Sequence, residues 1–320
     1  MICRKRDHQR CAARLLWPAA LLLVLCFNPR ALAVEPPRVV VSITPIHSLV
    51  AGVMAGVAEP TLLVRGSASP HNYMLKPSQR RKLQRADLVV WVGESVESFL
   101  PRVLRGLPAR TEQIELMALT GMVLLPPRNG GLWPPADVVH HAHHHAGADG
   151  HLWLDPRNAK LIISSVAERL SALDPAHADR YRHNQRTLLQ RLDALDRELA
   201  QRLTHIRDKP YLVFHDAYHY LEARYGLNAV GAISVHPERK PGARRITQIR
   251  QEIAQLGVRC IFSEPQFPTS TTAVISEGFN LKSAVLDPMG SGLASGPSLY
   301  FELMRNLAAS LEACLGEPGR

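Results

Sequence analysis

The sequence VVVSI at residues 39–43 is an almost unbroken apolar run with a proline close to each end. Short apolar runs bounded by turn formers are typical of strands that are buried on both faces, as in parallel sheets. A helix is predicted directly after this strand, at 46–57, and two more strands are predicted at 61–64 and 88–92. This alternation of strands and helices indicates an open α/β sheet.

The second half of the chain repeats the alternation. Apolar runs predict four more strands, at 211–214, 229–233, 260–262 and 284–286, with helices between and after them. Gly226 is expected to end the helix predicted at 217–225. We therefore expect an α/β fold with two open, mainly parallel-sheet lobes.

A long amphipathic segment at 174–206 separates the two halves. Its leucines recur in steps of four, three, four and four residues, at Leu188, Leu192, Leu195, Leu199 and Leu203. This spacing forms one apolar stripe, and a helix of about 27 residues would be about 40 Å long. A coiled-coil strand is the alternative, but no further heptads follow the stripe. The segment therefore predicts one long rigid helix, capped by Asp174, that joins the lobes.

Weaker signals predict several shorter elements in the first half. A helix at 78–85 would take Ser78 as its N-cap. A second helix is predicted at 95–104, and short strand candidates lie at 114–117 and 122–125.

The first 33 residues have the pattern of a cleavable export signal. Five basic residues precede an apolar segment at 15–27, and the sequence ALA at 31–33 supplies a small-residue cleavage site. The mature chain is therefore expected to begin near Val34 and to reside in the periplasm. Lipidation of Cys26 is a poor alternative, because the large Leu25 precedes it.

Removing the signal halves the apparent basicity of the protein. The segment contains six Lys or Arg and one Asp, so the formal net charge falls from +10 to +5. No basic patch with interleaved aromatic residues remains, and a nucleic-acid partner is not expected. The remaining 287 residues (320 − 33) suffice for two domains. The expected boundaries are an N-terminal lobe at 34–173, a linker helix at 174–206 and a C-terminal lobe at 207–320.

The predicted mature chain retains two cysteines, Cys260 and Cys314. Two cysteines in an exported protein favour one disulfide, which would stabilise the fold by about 4 kcal/mol on the chain-entropy model. A pair of zinc thiolates is the alternative. The two cysteines lack a C-x-x-C spacing and are far in sequence from the histidine motifs.

Residues 126–150 interrupt the α/β pattern with proline, glycine and histidine. Five histidines lie almost side by side, at His140, His141, His143, His144 and His145. Without apolar periodicity the run cannot build a core, and it is predicted to be a mobile surface loop. Imidazole is a common metal ligand, so the run is expected to collect metal ions. A solvated tract without a fixed role is the alternative.

Four other side chains share a placement, since each lies where a predicted strand or its following loop ends. They are His71, His151, His215 and Asp287. Ligand sites of open α/β sheets lie beyond the carboxyl ends of the strands, so these side chains are expected to converge in one crevice. Three imidazoles with a carboxylate or a water form a tetrahedral set suited to Zn²⁺. Taken singly, each residue could equally be an ordinary capping, turn or loop residue.

Five longer motifs carry a resemblance to a known family. They are SASPHNYMLKPSQRRKLQRADLVVWVGESVESFL at 67–100, DGHLWLDPRNA at 149–159, FHDAYHYLEARYGL at 214–227, SEPQF at 263–267 and LDPMG at 286–290. In this order they resemble the high-affinity zinc-uptake substrate-binding proteins of ABC transporters, and the resemblance covers nearly the whole mature chain. It implies two α/β domains joined by one long helix, with a single metal ion in the cleft between them.

The resemblance also implies roles for particular residues. His71, His151 and His215 would be the zinc ligands, and Asp287 would lie beside the metal as a weak or water-replaced fourth ligand. Manganese and iron relatives usually have a glutamate at the position of His215, which favours zinc here. The disulfide also matches a bridge expected in the zinc branch.

Two nearby residues have more than one possible role. His219 departs from the small residue expected one helical turn after His215, and it could be an auxiliary ligand or a partner of one. Glu264 in SEPQF could hydrogen-bond a metal-bound imidazole, or it could be an ordinary capping or solvent-facing carboxylate.

The function implied by the resemblance is binding without catalysis. The protein would carry Zn²⁺ as a monomer to the membrane subunit of an ABC permease with its ATPase, and periplasmic zinc chaperones would be further partners. A manganese or iron carrier of the same fold is one alternative. A secreted zinc hydrolase is another, although no HExxH helix is present. A zinc buffer or adhesin that never meets a permease is a third.

Overall fold

Parallel strand pairing organises the N-terminal half of the chain. Strands β1 (Val39–Val41), β2 (Thr61–Leu62), β3 (Leu88–Trp91) and β4 (Glu112–Glu115) form one sheet in the order β2-β1-β3-β4. All three strand pairs are parallel. Every residue of β1 and β3 is buried, as their continuous apolar sequences predict.

A second parallel sheet organises the C-terminal half. Strands β5 (Tyr211–Val213), β6 (Ala229–Ala232), β7 (Cys260–Ser263) and β8 (Lys282–Val285) pair in the order β6-β5-β7-β8. The two sheets define what we call the N-terminal lobe and the C-terminal lobe. The predicted fold class, α/β with two open parallel sheets, is confirmed.

The helices connect and cover the strands. In chain order they are α1 (Thr44–Val53), α2 (Pro77–Gln84), α3 (Pro101–Leu104), α4 (Pro156–Leu173), α5 (Ala178–Leu203), α6 (His219–Tyr225), α7 (Ala243–Leu256), α8 (Ser270–Ser276) and α9 (Leu299–Leu315). Helix α6 ends at Gly226, which has a positive φ of 70° and accepts the left-handed turn there.

Helix α5 is the predicted long helix, with 26 residues. All five leucines of its stripe are buried in the main core, alongside buried residues from α1, α4 and α9. Gly52 of α1 allows close approach, because a Cβ there would lie 2.9 Å from the Leu188 side chain. The helix begins later than predicted: Pro175–His177 forms a separate 3-10 turn, and the Asp174 side chain does not cap it. The described residues from Pro36 onward form one compact unit.

Other polar and covalent contacts fix the C-terminal helix. The disulfide between Cys260 and Cys314 is present, and it ties β7 to α9. Arg202 of α5 donates to Glu312 of α9, with an Nη2–Oε2 distance of 2.6 Å. The disulfide therefore anchors β7 to α9, and the ion pair anchors α9 to α5.

Three weaker predictions were wrong in detail. Residues 122–125 do not form a strand, because the backbone of Val123 pairs with the side chain of Asn158 instead. Of the helix predicted at 95–104, only Pro101–Leu104 is helical, since the Glu97 carboxylate folds back to accept the N–H groups of residues 92 and 93. Helix α2 begins at Pro77 with Lys76 as its N-cap, so Ser78 lies inside it.

The structure, a computed structural model, describes residues 35–128, 132–133, 147–234 and 241–316. The predicted signal peptide at 1–33 lies outside these residues. So do His140, His141, His143, His144 and His145. In the part of the chain that is described, no helix combines the length and the apolar character required to span a bilayer.

Candidate metal centre

His215 and Glu264 meet because their strands are neighbours in the C-terminal sheet. His215 lies two residues after β5, and Glu264 directly follows β7, which pairs with β5 in parallel. The imidazole donates from Nδ1 to Glu264 Oε1 at 2.7 Å, and the backbone N–H of His215 donates to the same oxygen at 3.3 Å. Glu264 is only 1% exposed. The role left open for Glu264 is therefore resolved as contact with the His215 ring.

His151 is held by a carboxylate that the sequence analysis missed. Asp149 Oδ1 accepts from both the backbone N–H of His151, at 2.9 Å, and its Nδ1, at 2.7 Å. Two residues after His151, the buried Trp153 donates from Nε1 to the carbonyl of Pro288 at 2.9 Å. The sequence did offer a signal for Asp149, because metal-bound imidazoles usually donate their second N–H to a nearby acceptor.

His71 comes from the N-terminal lobe, in the loop that follows β2. It lies in a 3-10 turn, Pro70–Asn72, whose N-cap is Ser69. The Ser69 hydroxyl accepts from the backbone N–H of His71 at 3.3 Å. The turn places the partly buried ring against the rings of His151 and of His215, which follows β5 in the C-terminal lobe.

The three imidazoles converge. One ring nitrogen from each lies within 4.8 Å of the others, and the Nε2 atoms of His151 and His215 are 3.4 Å apart. Four tetrahedral nitrogen ligands about 2.05 Å from zinc would lie roughly 3.3 Å from one another. Because carboxylates occupy the Nδ1 atoms of His151 and His215, their Nε2 lone pairs face the common point. The three nitrogens are therefore close enough together to share one metal ion.

The cavity between the rings is small. Its volume is about 10 Å³, and it is lined by the three imidazoles together with Gln266, Phe267 and Met289, among others. A volume of about 10–15 Å³ corresponds to a single water-sized sphere. The cavity therefore has room for one ion.

Burial and neighbouring charges shift the pKa values of His71 and His215 in opposite directions. Burial, followed by the nearby His151 and His215 rings, lowers the pKa of His71 well below 6.5. Burial also acts to lower the pKa of His215, but the Glu264 carboxylate outweighs it and the net pKa is raised above 6.5. His71 is thus held neutral, as a metal ligand must be, whereas His215 binds a proton more readily.

Asp287 lies outside this group of three. It follows β8, and its Oδ1 accepts from Gln266 Nε2 at 2.9 Å and from the backbone of Met289 at 3.0 Å. Its Oδ2 accepts from the backbone and the hydroxyl of Ser291, at 2.6 and 2.7 Å. Both carboxylate oxygens are therefore engaged by the loop. The role of Asp287 as a direct ligand stays a prediction.

His219 lies beyond Asp149. As the first residue of α6 it places Nδ1 3.9 Å from Asp149 Oδ2. Among the described residues neither of these buried atoms has a hydrogen-bond partner. Burial lowers the pKa of His219, and the positive charge of Arg128 lowers it further. His219 thus contacts the carboxylate that holds His151 and does not join the three imidazoles.

The sequence of this chain also matches a known protein family. A sequence model of the family described as ZnuA, zinc-uptake complex component A periplasmic, matches residues 39–314. The chain belongs to the ZnuA family. The family is one of transport components rather than enzymes.

A curated relative supports the ZnuA assignment over nearly the whole chain. The high-affinity zinc uptake system protein ZnuA of Brucella suis biovar 1 is 41% identical over 325 aligned residues, which cover 91% of this chain and 95% of the relative. The ZnuA protein of Paracoccus denitrificans is 35% identical, with 93% and 98% covered.

Among solved structures, a crystal structure of ZnuA is similar with a TM-score of 0.74. It is 23% identical, and the match covers 88% of this chain and all of the other. At this identity the likeness shows a shared fold, the ZnuA fold of two parallel-sheet lobes.

Proposed function

We propose that this ZnuA-family protein captures Zn²⁺ with His71, His151 and His215, and that it passes the ion to the membrane subunit of an ABC permease. The observation that carries the proposal is the convergence of three imidazole nitrogens within 4.8 Å in a buried, ion-sized cavity. The three come from separate parts of the chain, so their meeting requires the folded protein.

The donor set supports zinc as the ion. Neutral imidazole suits Zn²⁺, whereas Mn²⁺ prefers a site with more oxygen ligands. The three nitrogen donors here are accompanied by carboxylates that contact the back of the rings, at Asp149 and Glu264. The curated relatives are named as zinc-uptake proteins, and a similar solved structure is a ZnuA deletion mutant with zinc bound.

Some residues of the site would bind the ion, and others hold those ligands in place. Each carboxylate fixes one imidazole by accepting its Nδ1–H, which leaves Nε2 as the metal-binding atom and raises its basicity. Trp153 crosses to the C-terminal lobe and holds the segment that carries His151. Because α5 and its neighbours share one core, closure around the ion would be limited to small tilts and loop adjustments.

The remaining sequence predictions fit the same proposal. Residues 1–33 would direct export to the periplasm and leave a mature chain that starts near Val34. The lobes would be 34–173 and 207–320, joined by 174–206. The histidine run at 140–145 would bind further zinc ions weakly and raise their local concentration near the site. The permease, its ATPase and zinc chaperones would be the partners of the loaded monomer.

Zinc titration of the metal-free protein tests the proposal. We expect one tight site in the wild type, and a loss in His151→Ala and His215→Ala that exceeds the ~10–100-fold typical of outer-shell residues. His205→Ala, which removes an exposed histidine, is the matched control. Unchanged tight binding in both site variants would refute the proposed ligands, and tighter binding of Mn²⁺ than of Zn²⁺ would identify a manganese carrier.

A deletion separates the histidine run from the site. Removing residues 139–148 should abolish only the weak binding and leave the tight site intact. Loss of the tight site in that variant would contradict the division of roles.

A further inference from the structure

The side chain of Gln266 presents an unexplained atom to the metal cavity. Gln266 lies two residues after Glu264 and lines the same cavity as the three imidazoles. Its amide oxygen, Oε1, is buried and has no hydrogen-bond partner among the described residues. Native proteins nearly always give a buried carbonyl oxygen a partner. The atom therefore points to a missing donor or cation.

The orientation of this amide is determined by its other end. Nε2 donates to Asp287 Oδ1 at 2.9 Å and contacts Ser291 Oγ at 3.5 Å. A carboxylate oxygen can only accept a hydrogen bond, so the amide nitrogen must face Asp287 and the oxygen must face away from it. Asp287 is itself anchored by the backbone of Met289 and by Ser291. The contacts of Asp287 thus fix the nitrogen end of the amide, and Oε1 faces away from Asp287.

Two of the imidazoles and the apolar neighbours of the cavity cannot supply the missing donor; the Ser69 hydroxyl also lines the cavity and accepts from the backbone N–H of His71. His151 and His215 donate from Nδ1 to carboxylates, so in the neutral rings Nε2 carries a lone pair and no proton. Phe267, Pro288 and Met289 offer no side-chain N–H or O–H to the cavity. A cation between the imidazoles would satisfy their lone pairs and the amide oxygen together.

We propose that Gln266 Oε1 is the fourth ligand of the captured ion, and that Asp287 is a positioning residue which acts through Gln266. The inference rests on the proposed zinc function and assigns the position that a tetrahedral three-imidazole site leaves open. A neutral amide oxygen is a weaker zinc ligand than a carboxylate. The fourth bond would therefore be the one that yields first when the ion is handed on.

A double-mutant cycle tests the inference. Zinc affinity is measured by chelator competition for Gln266→Leu, Asp287→Ala and the double variant, and the visible spectrum of bound Co²⁺ reports the ligand set. We expect each single variant to lose about tenfold or more in affinity, the lower end for groups that support a metal site. The double variant should be no weaker than Gln266→Leu alone, because Asp287 acts through the amide. The Co²⁺ spectrum should change in all three.

Matched variants separate this effect from damage to the fold. Gln255→Leu, at an exposed position of α7, should bind as the wild type does. Gln266→Asn keeps the amide but withdraws it by one methylene, and it should also lose zinc affinity. It is the variant that tests the inference if Gln266→Leu fails to fold. Melting temperatures of the metal-free variants identify any folding defect.

The results that would contradict the inference differ from the result that would refute the proposed function. Wild-type affinity in both Gln266 variants overturns the inference: a loss confined to Asp287→Ala would then make Asp287 the ligand, and no loss in any variant would make the fourth ligand a water. Either result leaves the three-imidazole site standing. Failure of the wild type to bind zinc would instead refute the proposed function itself.

Discussion

Replacing Glu264 removes the carboxylate that holds the imidazole of His215. Glu264 Oε1 accepts two hydrogen bonds from His215, at 2.7 Å from Nδ1 and 3.3 Å from the backbone nitrogen, at a residue only 1% exposed. Hydrogen bonds to charged groups contribute about 1.5–3 kcal/mol, which is about 10–150-fold in affinity. We expect Glu264→Gln to weaken zinc binding about tenfold, because its amide oxygen can still accept from Nδ1. Glu264→Ala should weaken it about 100-fold.

The same substitution should alter the pH dependence of binding. The carboxylate outweighs burial and raises the pKa of His215, so protons compete with zinc more strongly in the wild type than in Glu264→Gln. The affinity gap between the two proteins should therefore narrow as the pH falls from about 8 to about 6.

Competition with a chromophoric chelator measures both effects. Glu277→Gln, at an exposed carboxylate, is the control and should match the wild type at every pH. Affinity of Glu264→Ala within about twofold of the wild type, with an unchanged melting temperature of the metal-free protein, would refute the assigned role.

Three further predictions concern other parts of the molecule. Zinc affinity of the wild type should fall about tenfold per pH unit below the raised pKa of His215, since the ligand must lose its proton; a flat titration curve would exclude a histidine site. His219→Ala should weaken zinc binding by less than Glu264→Ala does, and His219→Asn should restore it, because an Asn Nδ2 can donate to Asp149 where His219 Nδ1 now lies at 3.9 Å; equal affinities in the three proteins would assign His219 no part. Replacing Cys260 and Cys314 by serine should lower the free energy of unfolding by about 4 kcal/mol for a bridge across 54 residues, as measured by chemical denaturation of the metal-free protein; a change below about 1 kcal/mol would contradict the loop-entropy argument.

Elements that depend on strong periodicity were predictable from the sequence. The leucine stripe of α5 is buried as expected, because only one helix face can carry five leucines at that spacing. The strand at 39–43 was recognisable because a nearly continuous apolar run is typical of strands buried on both faces, and the structure has β1 at Val39–Val41. Both elements are determined by local pattern.

Elements that depend on a single side-chain contact were not predictable. Residues 122–125 have the composition of a strand, but the Asn158 side chain takes the hydrogen bonds of Val123. The helix predicted at 95–104 loses its first turns to the Glu97 carboxylate. In the first case a polar side chain from outside the segment decides the backbone structure, and in the second case a side chain within the segment does.

The candidate site shows the same division. The placement of His215 and Asp287 after strands was visible in the sequence, and in the structure β5, β7 and β8 lie side by side in the order β5-β7-β8. Asp149 was not recognised, because its role depends on the ring orientation of His151. Gln266 carried no chemical signal of its own, since a glutamine becomes informative only when its oxygen is found buried without a partner.

A crystal structure of the zinc-loaded protein, with anomalous data collected at the zinc absorption edge, tests the central claim most directly. We predict one strong anomalous peak with nitrogen atoms of His71, His151 and His215 at about 2.0–2.1 Å. An ion bound elsewhere in the protein, or one of these three rings turned away from the peak, would contradict the account.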